Sequence, residues 1–139
     1  MVSDKSVAQK LGIKPGFCIF TAGAPKAYQD IVGQLPAGVT IAPALKAPLD
    51  MVHVFAMQAR GLAARLRSAR DAIAPDGMVW VSWPKKSSGI ATDLSDVLVR
   101  QIALRLGLVD IKVCAIDDTW SGLKFVIPTE LRTKTKRTK

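Results

Sequence analysis

VDIKVCAIDDTWSGLKFVI, Val109–Ile127, is the stretch whose reading decides the fold. Val109–Ile116 and Leu123–Ile127 read as two apolar strands. Asp117–Gly122 between them is far shorter than the dozen or so residues of a parallel crossover, so the two strands pair as an antiparallel hairpin. Upstream, the pattern is different. Apolar runs at Phe17–Thr21, Val39–Ala42, Met51–Ala56 and Met78–Trp83 read as strands, and helical patterns fall between most of them. Pro25 opens one helix, reaching Val32 or Gln34. A second runs from Gln58 to Ile73, with Leu62, Leu66, Ala69 and Ile73 on one stripe and Arg60, Arg67 and Asp71 opposite. Thr92 or Asp93 caps a third that ends near Leu106, and a short helical pattern covers Ser6–Leu11. Strands alternating with helices imply a mostly parallel sheet with right-handed crossovers. Residues 43–49 hold two prolines and no helical pattern, yet at ~3.3 Å per residue they still cross the sheet. The expected architecture is α/β, Rossmann-like: a mostly parallel sheet, helices on both faces, and a C-terminal antiparallel hairpin.

Composition bounds the function. The 139 residues suit one domain, and nearly half are hydrophobic, which argues against a disordered chain. Cys18 and Cys114 each lie in an apolar run, the usage of a reducing compartment. With no signal-peptide pattern and no long apolar run, the expected location is the cytoplasm. The net charge is +9, and the last eight residues, RTKTKRTK, contribute five positive charges, leaving +4 for residues 1–131. The expected organisation is one domain over residues 1–131 and a disordered basic tail over 132–139.

Two stretches carry a resemblance. Lys10-Leu11-Gly12-Ile13-Lys14-Pro15-Gly16 is the first. Trp83-Pro84-Lys85-Lys86-Ser87-Ser88-Gly89, with Asp117-Asp118-Thr119-Trp120-Ser121-Gly122-Leu123-Lys124-Phe125, is the second. Together they resemble the bacterial family catalogued as domain of unknown function 3052, over about residues 7–127. That resemblance implies no established activity. Ile73-Ala74-Pro75-Asp76-Gly77 before an apolar strand, with the closing hairpin, is similar to the class I methyltransferases. This broader resemblance implies that the last strand inserts beside the fourth, giving the order second, first, third, fourth, sixth, fifth.

The methyl-donor chemistry of those enzymes reads as missing. Their first strand ends in a glycine-rich turn, whereas Thr21-Ala22-Gly23-Ala24-Pro25 has one glycine followed by proline after Ala24. Their second strand ends near a ribose-binding carboxylate, whereas Ile41-Ala42-Pro43-Ala44 has none. The reading is therefore not an S-adenosylmethionine-dependent methyltransferase, and no cofactor is expected. One histidine and two separated cysteines give no metal-ligand spacing, so no metal is expected either. His53, within an apolar strand, reads as a core histidine bonded to a neighbour.

What remains is the rim beyond the strands' carboxyl ends, where open α/β sheets bind ligands. It gathers Lys85, Lys86, Ser87, Ser88, Asp117, Asp118, Trp120 and Ser121. Lysines and serines ahead of a helix N-terminus favour an anion, and Trp120 offers a flat face to a ring. The same residues also read as architecture, with a lysine paired to Asp117 or Asp118 and Thr92 capping the helix. The expected function is binding of a small anionic ligand or a protein partner at this rim. The alternatives are an enzyme using Lys85 or Lys86 with Asp117 or Asp118, and a nucleic-acid accessory protein. The latter would work through a weak contact made by Arg132, Lys134, Lys136, Arg137 and Lys139.

Overall fold

The computed structural model describes residues 6–46 and 48–132. Six strands form one sheet: β1 (Cys18–Ala22), β2 (Thr40–Ile41), β3 (Leu49–Phe55), β4 (Ile73–Pro84), β5 (Val109–Ala115) and β6 (Trp120–Val126). Their order is β2-β1-β3-β4-β6-β5. The pairs β1–β2, β1–β3 and β3–β4 are parallel, while β6 runs antiparallel to both β4 and β5. The inserted last strand is thus present, as the methyltransferase resemblance implies. It begins at Trp120, three residues before the expected Leu123, because Asp117 tightens the turn. Its Oδ1 accepts from the backbone N–H groups of Thr119 and Trp120, both at 2.8 Å. Trp120 and Ser121 are therefore strand residues, opposite Pro84 and Trp83.

Helices cover both faces. On one lie α1 (Val7–Leu11) and α2 (Tyr28–Val32), whose Leu11, Tyr28 and Val32 pack with Met51, Phe55, Met78 and Trp80. On the other lie α3 (Leu62–Ala72) and α4 (Asp96–Arg105), whose Leu62, Leu66, Val99 and Ala103 pack with Val52, Val79, Leu123 and Phe125. A short α5 (Thr129–Arg132) closes the described chain, so Arg132 ends a helix; the rest of the basic tail, 133–139, lies outside the described residues. Among the described residues no helix is long and apolar enough to cross a membrane.

Three boundaries differ from expectation for local reasons. Pro25–Ala27 form a turn first, with Tyr28 N–H donating to Pro25 O, so α2 starts late. Gly61 sits at φ +81°, a left-handed bend that holds off α3 until Leu62. Ser95, not Thr92 or Asp93, caps α4, its Oγ accepting from Leu98 N–H at 3.2 Å. β1, expected to be buried on both faces, buries only Ile19 fully. Cys18, Phe20 and Ala22 are partly buried against the α3 face, because the link from β2 to β3 carries no helix to cover them.

The core holds one polar chain. His53 is fully buried, with Nδ1 3.0 Å from Tyr28 Oη and Nε2 2.7 Å from Ser82 Oγ. It is a core histidine bonded to neighbours. Trp80, also fully buried, donates from Nε1 to Leu11 O at 2.9 Å, fastening the end of α1 to the sheet. Each bond satisfies a group whose burial alone costs ~1–3 kcal/mol.

Candidate functional site

β1 lies between β2 and β3, so the chain leaves β1 in one direction and returns on its other side. The crevice at the carboxyl ends of β1 and β3 is the switch point where such sheets place ligands. A cleft of about 390 Å³ opens there, lined by Gly23, Phe55, Ala56, Met57, Gln58, Arg60, Leu62, Arg65 and Trp120. That volume is within the ~300–1,000 Å³ of small-molecule sites. A shallower groove continues from Met57, Gln58 and Arg60 to Ala91, Thr92 and Asp93.

Each wall has a local cause. Gly23, at φ +71°, ends β1 against β3; a Cβ on it would stand 2.7 Å from Phe55 O. No side chain fits there, and the left-handed backbone disfavours one anyway. Arg65 Nη1 donates to that same Phe55 O at 3.1 Å, using one of its five N–H donors. Phe55 stacks on His53, with ring centroids 4.3 Å apart, and meets Trp120 edge-on at 5.0 Å. The buried polar chain thus backs the aromatic wall of the cleft. The loop after β3 is held from outside: Thr92 Oγ1 donates to Met57 O at 2.6 Å, and Asp93 Oδ1 accepts from Ala59 N–H at 2.8 Å. These two bonds explain why Thr92 and Asp93 are not free to cap α4. Replacing both residues, Thr92→Val with Asp93→Ala, is expected to cost about 1–3 kcal/mol for the two bonds. Hydrogen exchange at the Ala59 amide should then rise by at least about tenfold. Unchanged exchange would show that the loop stands without them.

The rim residues divide. Trp120 lines the cleft; the other seven do not. Lys85 N–H donates to Thr119 O at 2.7 Å, joining the end of β4 to the hairpin turn. Lys86–Ser88 form a single 3₁₀ turn, in which Ser88 Oγ donates to Lys85 O and accepts from Ile90 N–H. Lys86, Ser87 and Asp118 are exposed, and Ser121 is half-buried in β6. Residues 89–95 separate the lysines from α4, so the lysines do not sit at that helix's N-terminus. Among the described residues, no ion pair joins Lys85 or Lys86 to Asp117 or Asp118. No group of three or more histidines, cysteines or carboxylates is placed to hold a metal among those residues.

The overall arrangement is shared with solved structures. An S-adenosylmethionine-dependent methyltransferase from Aquifex aeolicus matches with a TM-score of 0.66 at 12% identity, over 86% of each chain. The chain has the methyltransferase-like Rossmann fold. Precorrin-6y C5,15-methyltransferase from Geobacter metallireducens matches at 0.58 and 10% identity, over 87% of this chain and 85% of that one. Magnesium protoporphyrin IX methyltransferase from Synechocystis, solved with bound S-adenosylmethionine, matches at 0.57 and 10%, over 87% and 74%. No family model and no curated protein matches the sequence.

These likenesses overturn the expectation that the protein is not an S-adenosylmethionine-dependent methyltransferase. That expectation demanded several glycines after β1. In the structure Gly23 alone makes the close approach of β1 to β3, and the cleft opens beside it. The expectation also weighed the end of β2, whose Ile41 does not line the cleft.

The lining offers two exposed guanidinium groups, Arg60 and Arg65, whose fork-shaped donors suit a carboxylate or phosphate. Half-buried Trp120 offers an aromatic face, while Phe55, 2% exposed and stacked on His53, backs it. Gln58 adds an amide.

Proposed function

We propose that this chain binds S-adenosylmethionine, or the S-adenosylhomocysteine left after methyl loss, in the cleft between β1 and β3, as a domain of methyltransferase type. The observation that carries the reading is the meeting of Arg60, Arg65, Phe55 and Trp120 at the sheet's switch point. The bound cofactor would supply an electrophilic methyl group. The chain's part is to clamp the carboxylate with Arg60 and Arg65, seat the ring on Trp120, and keep water from the crevice through Phe55 and Leu62. The lining holds no carboxylate, histidine, lysine or cysteine to remove a proton, and the carboxylate of the adjoining groove, Asp93, already accepts from Ala59 N–H. The reading therefore assigns an acceptor that arrives with its lone pair free, entering along the groove towards Thr92. The resemblance of Trp83–Gly89 and Asp117–Phe125 to the domain of unknown function 3052 family belongs to the same proposal, and would place that family among methyltransferase-type proteins. The two half-buried free thiols accord with a cytoplasmic setting.

Titration calorimetry of the full chain with S-adenosylmethionine and S-adenosylhomocysteine tests the reading. Both should give saturable heat. Arg65→Met should weaken binding about tenfold or more by loss of a charge-assisted pair. Arg65→Lys should recover only part of it. Trp120→Ala should weaken binding with little change in melting, since Trp120 is only half-buried. No saturable heat at millimolar ligand, with a normal melting curve, would overturn the proposal.

A further inference from the structure

A second cluster of charge lies away from the cleft. Lys112 of β5 stands directly opposite Lys124 of β6. Like charges in such a pair repel, and sheets ordinarily avoid them. Lys112 Nζ reaches Lys10 O, at the end of α1, at 3.0 Å. Lys124 Nζ lies 3.4 Å from the point a Cβ on Gly12 would occupy, just beyond that helix. Lys14 follows two residues later. The charges of Lys112 and Lys14 reach Lys124, and that of Lys10 reaches Cys114, two residues from Lys112 on β5; none of the four lysines lines the cleft. Burial, then the charges of Lys112 and Lys14, lower the pKa of Lys124.

The end of α1 accounts for Lys112, which takes Lys10 O, and for none of the other three lysines by a hydrogen bond among the described residues. A helix C-terminus attracts cations through its free carbonyls. Here Gly12 N–H is directed to Ala8 O and Gln9 O, Trp80 takes Leu11 O, and Lys112 takes Lys10 O. Among the described residues, no hydrogen bond or ion pair engages the ammonium groups of Lys10, Lys14 or Lys124. Neighbouring Asp110, on the same strand, is committed to Arg100 at 2.9 Å. The cluster therefore presents positive charge that no ion pair among the described residues neutralises.

We propose that Lys10, Lys14, Lys112 and Lys124 form a binding surface for the phosphate backbone of a nucleic acid. Phosphates in a regular row suit cations contributed by three separate segments, and binding strength follows the number neutralised. The chain's +9 charge adds long-range attraction. Two exposed apolar residues flank Lys112: Val113, which stands opposite Leu123 and so on the α3–α4 face, and Ile111, at the register shift between Asp110 and Lys112. Val113 is not on the lysine face to insert into a lipid surface, and the vesicle arm of the test covers Ile111. The surface recognises charge, not sequence, and is made of residues other than those of the basic tail.

The test is fluorescence anisotropy of a labelled oligonucleotide duplex with the full chain over a series of salt concentrations. Lys112→Gln with Lys124→Gln should weaken binding by about tenfold at low salt and make the log–log salt slope shallower by roughly two. Arginine at both positions should preserve binding, since arginine keeps the charge. The glutamine variant should melt no lower than the parent, because the cross-strand repulsion is relieved. Removing residues 133–139 should weaken binding by its own increment and leave the effect of the glutamine pair in place. Four outcomes would overturn the proposal: no binding by the full chain, unchanged binding by the glutamine variant, binding lost wholly with the tail, or binding to acidic vesicles or an acidic protein but not to the duplex.

Discussion

Phe55→Ala is expected to lower the stability of the fold by about 3–5 kcal/mol, as truncation of a buried aromatic does. Phe55 is 2% exposed and touches three aromatic neighbours: it stacks on His53 and meets Tyr28 and Trp120 edge-on. Its loss leaves a cavity under the cleft and frees the Trp120 ring that the cleft uses. Binding of S-adenosylhomocysteine should therefore fall further than in Trp120→Ala. Phe55→Leu keeps most of the volume and should lose less than half as much stability. Urea unfolding of the three proteins measures the effect. A loss below about 1 kcal/mol for Phe55→Ala would show that the ring is not part of the core that backs the cleft.

Acid is expected to destabilise the protein through His53. Burial drives its pKa down to about 3 from the usual 6.5. Below about pH 6.5 the unfolded chain takes up a proton at this histidine while the folded chain does not, so stability falls as pH falls. The window runs from the unfolded value down to the folded one, with a slope of about 1.4 kcal/mol per pH unit. Between about pH 6.5 and pH 5 the loss should reach about 2 kcal/mol. Above pH 6.5 both states hold the ring neutral and this contribution is flat. His53→Gln retains a donor and an acceptor for Tyr28 and Ser82 but cannot titrate. Its unfolding free energy should show a shallower acid slope than the parent's. Parallel pH profiles for the two proteins would remove His53 as the cause.

The fold was largely legible because its deciding signals are local. The short link at Asp117–Gly122 forces a hairpin, and buried strands read as apolar runs. His53 and Trp80 were legible as core for the same reason. The cleft was not. Arg60 has the spacing of a solvent-facing helical residue, and Arg65 carries no signal of its own. Their place at the cleft follows from the left-handed bend at Gly61, which sequence periodicity does not show. Thr92 and Asp93 look like helix caps in sequence, and only the folded chain brings them to the Met57–Ala59 loop. Asp117 reads as a ligand or ion-pair residue, whereas its carboxylate is used to close the turn before Trp120. Trp120 is the one rim residue placed at the cleft, because the inserted strand begins at it.

The ligand site proposed for this chain is the crevice between β1 and β3. Nuclear magnetic resonance titration of isotope-labelled full chain with S-adenosylhomocysteine tests it most directly. The amides of Gly23, Ala56, Met57 and Gln58 and the indole of Trp120 should shift together and saturate at one ligand concentration. Shifts confined to the Lys85–Ser88 rim or to the lysine face, or no saturable shift at all, would contradict it.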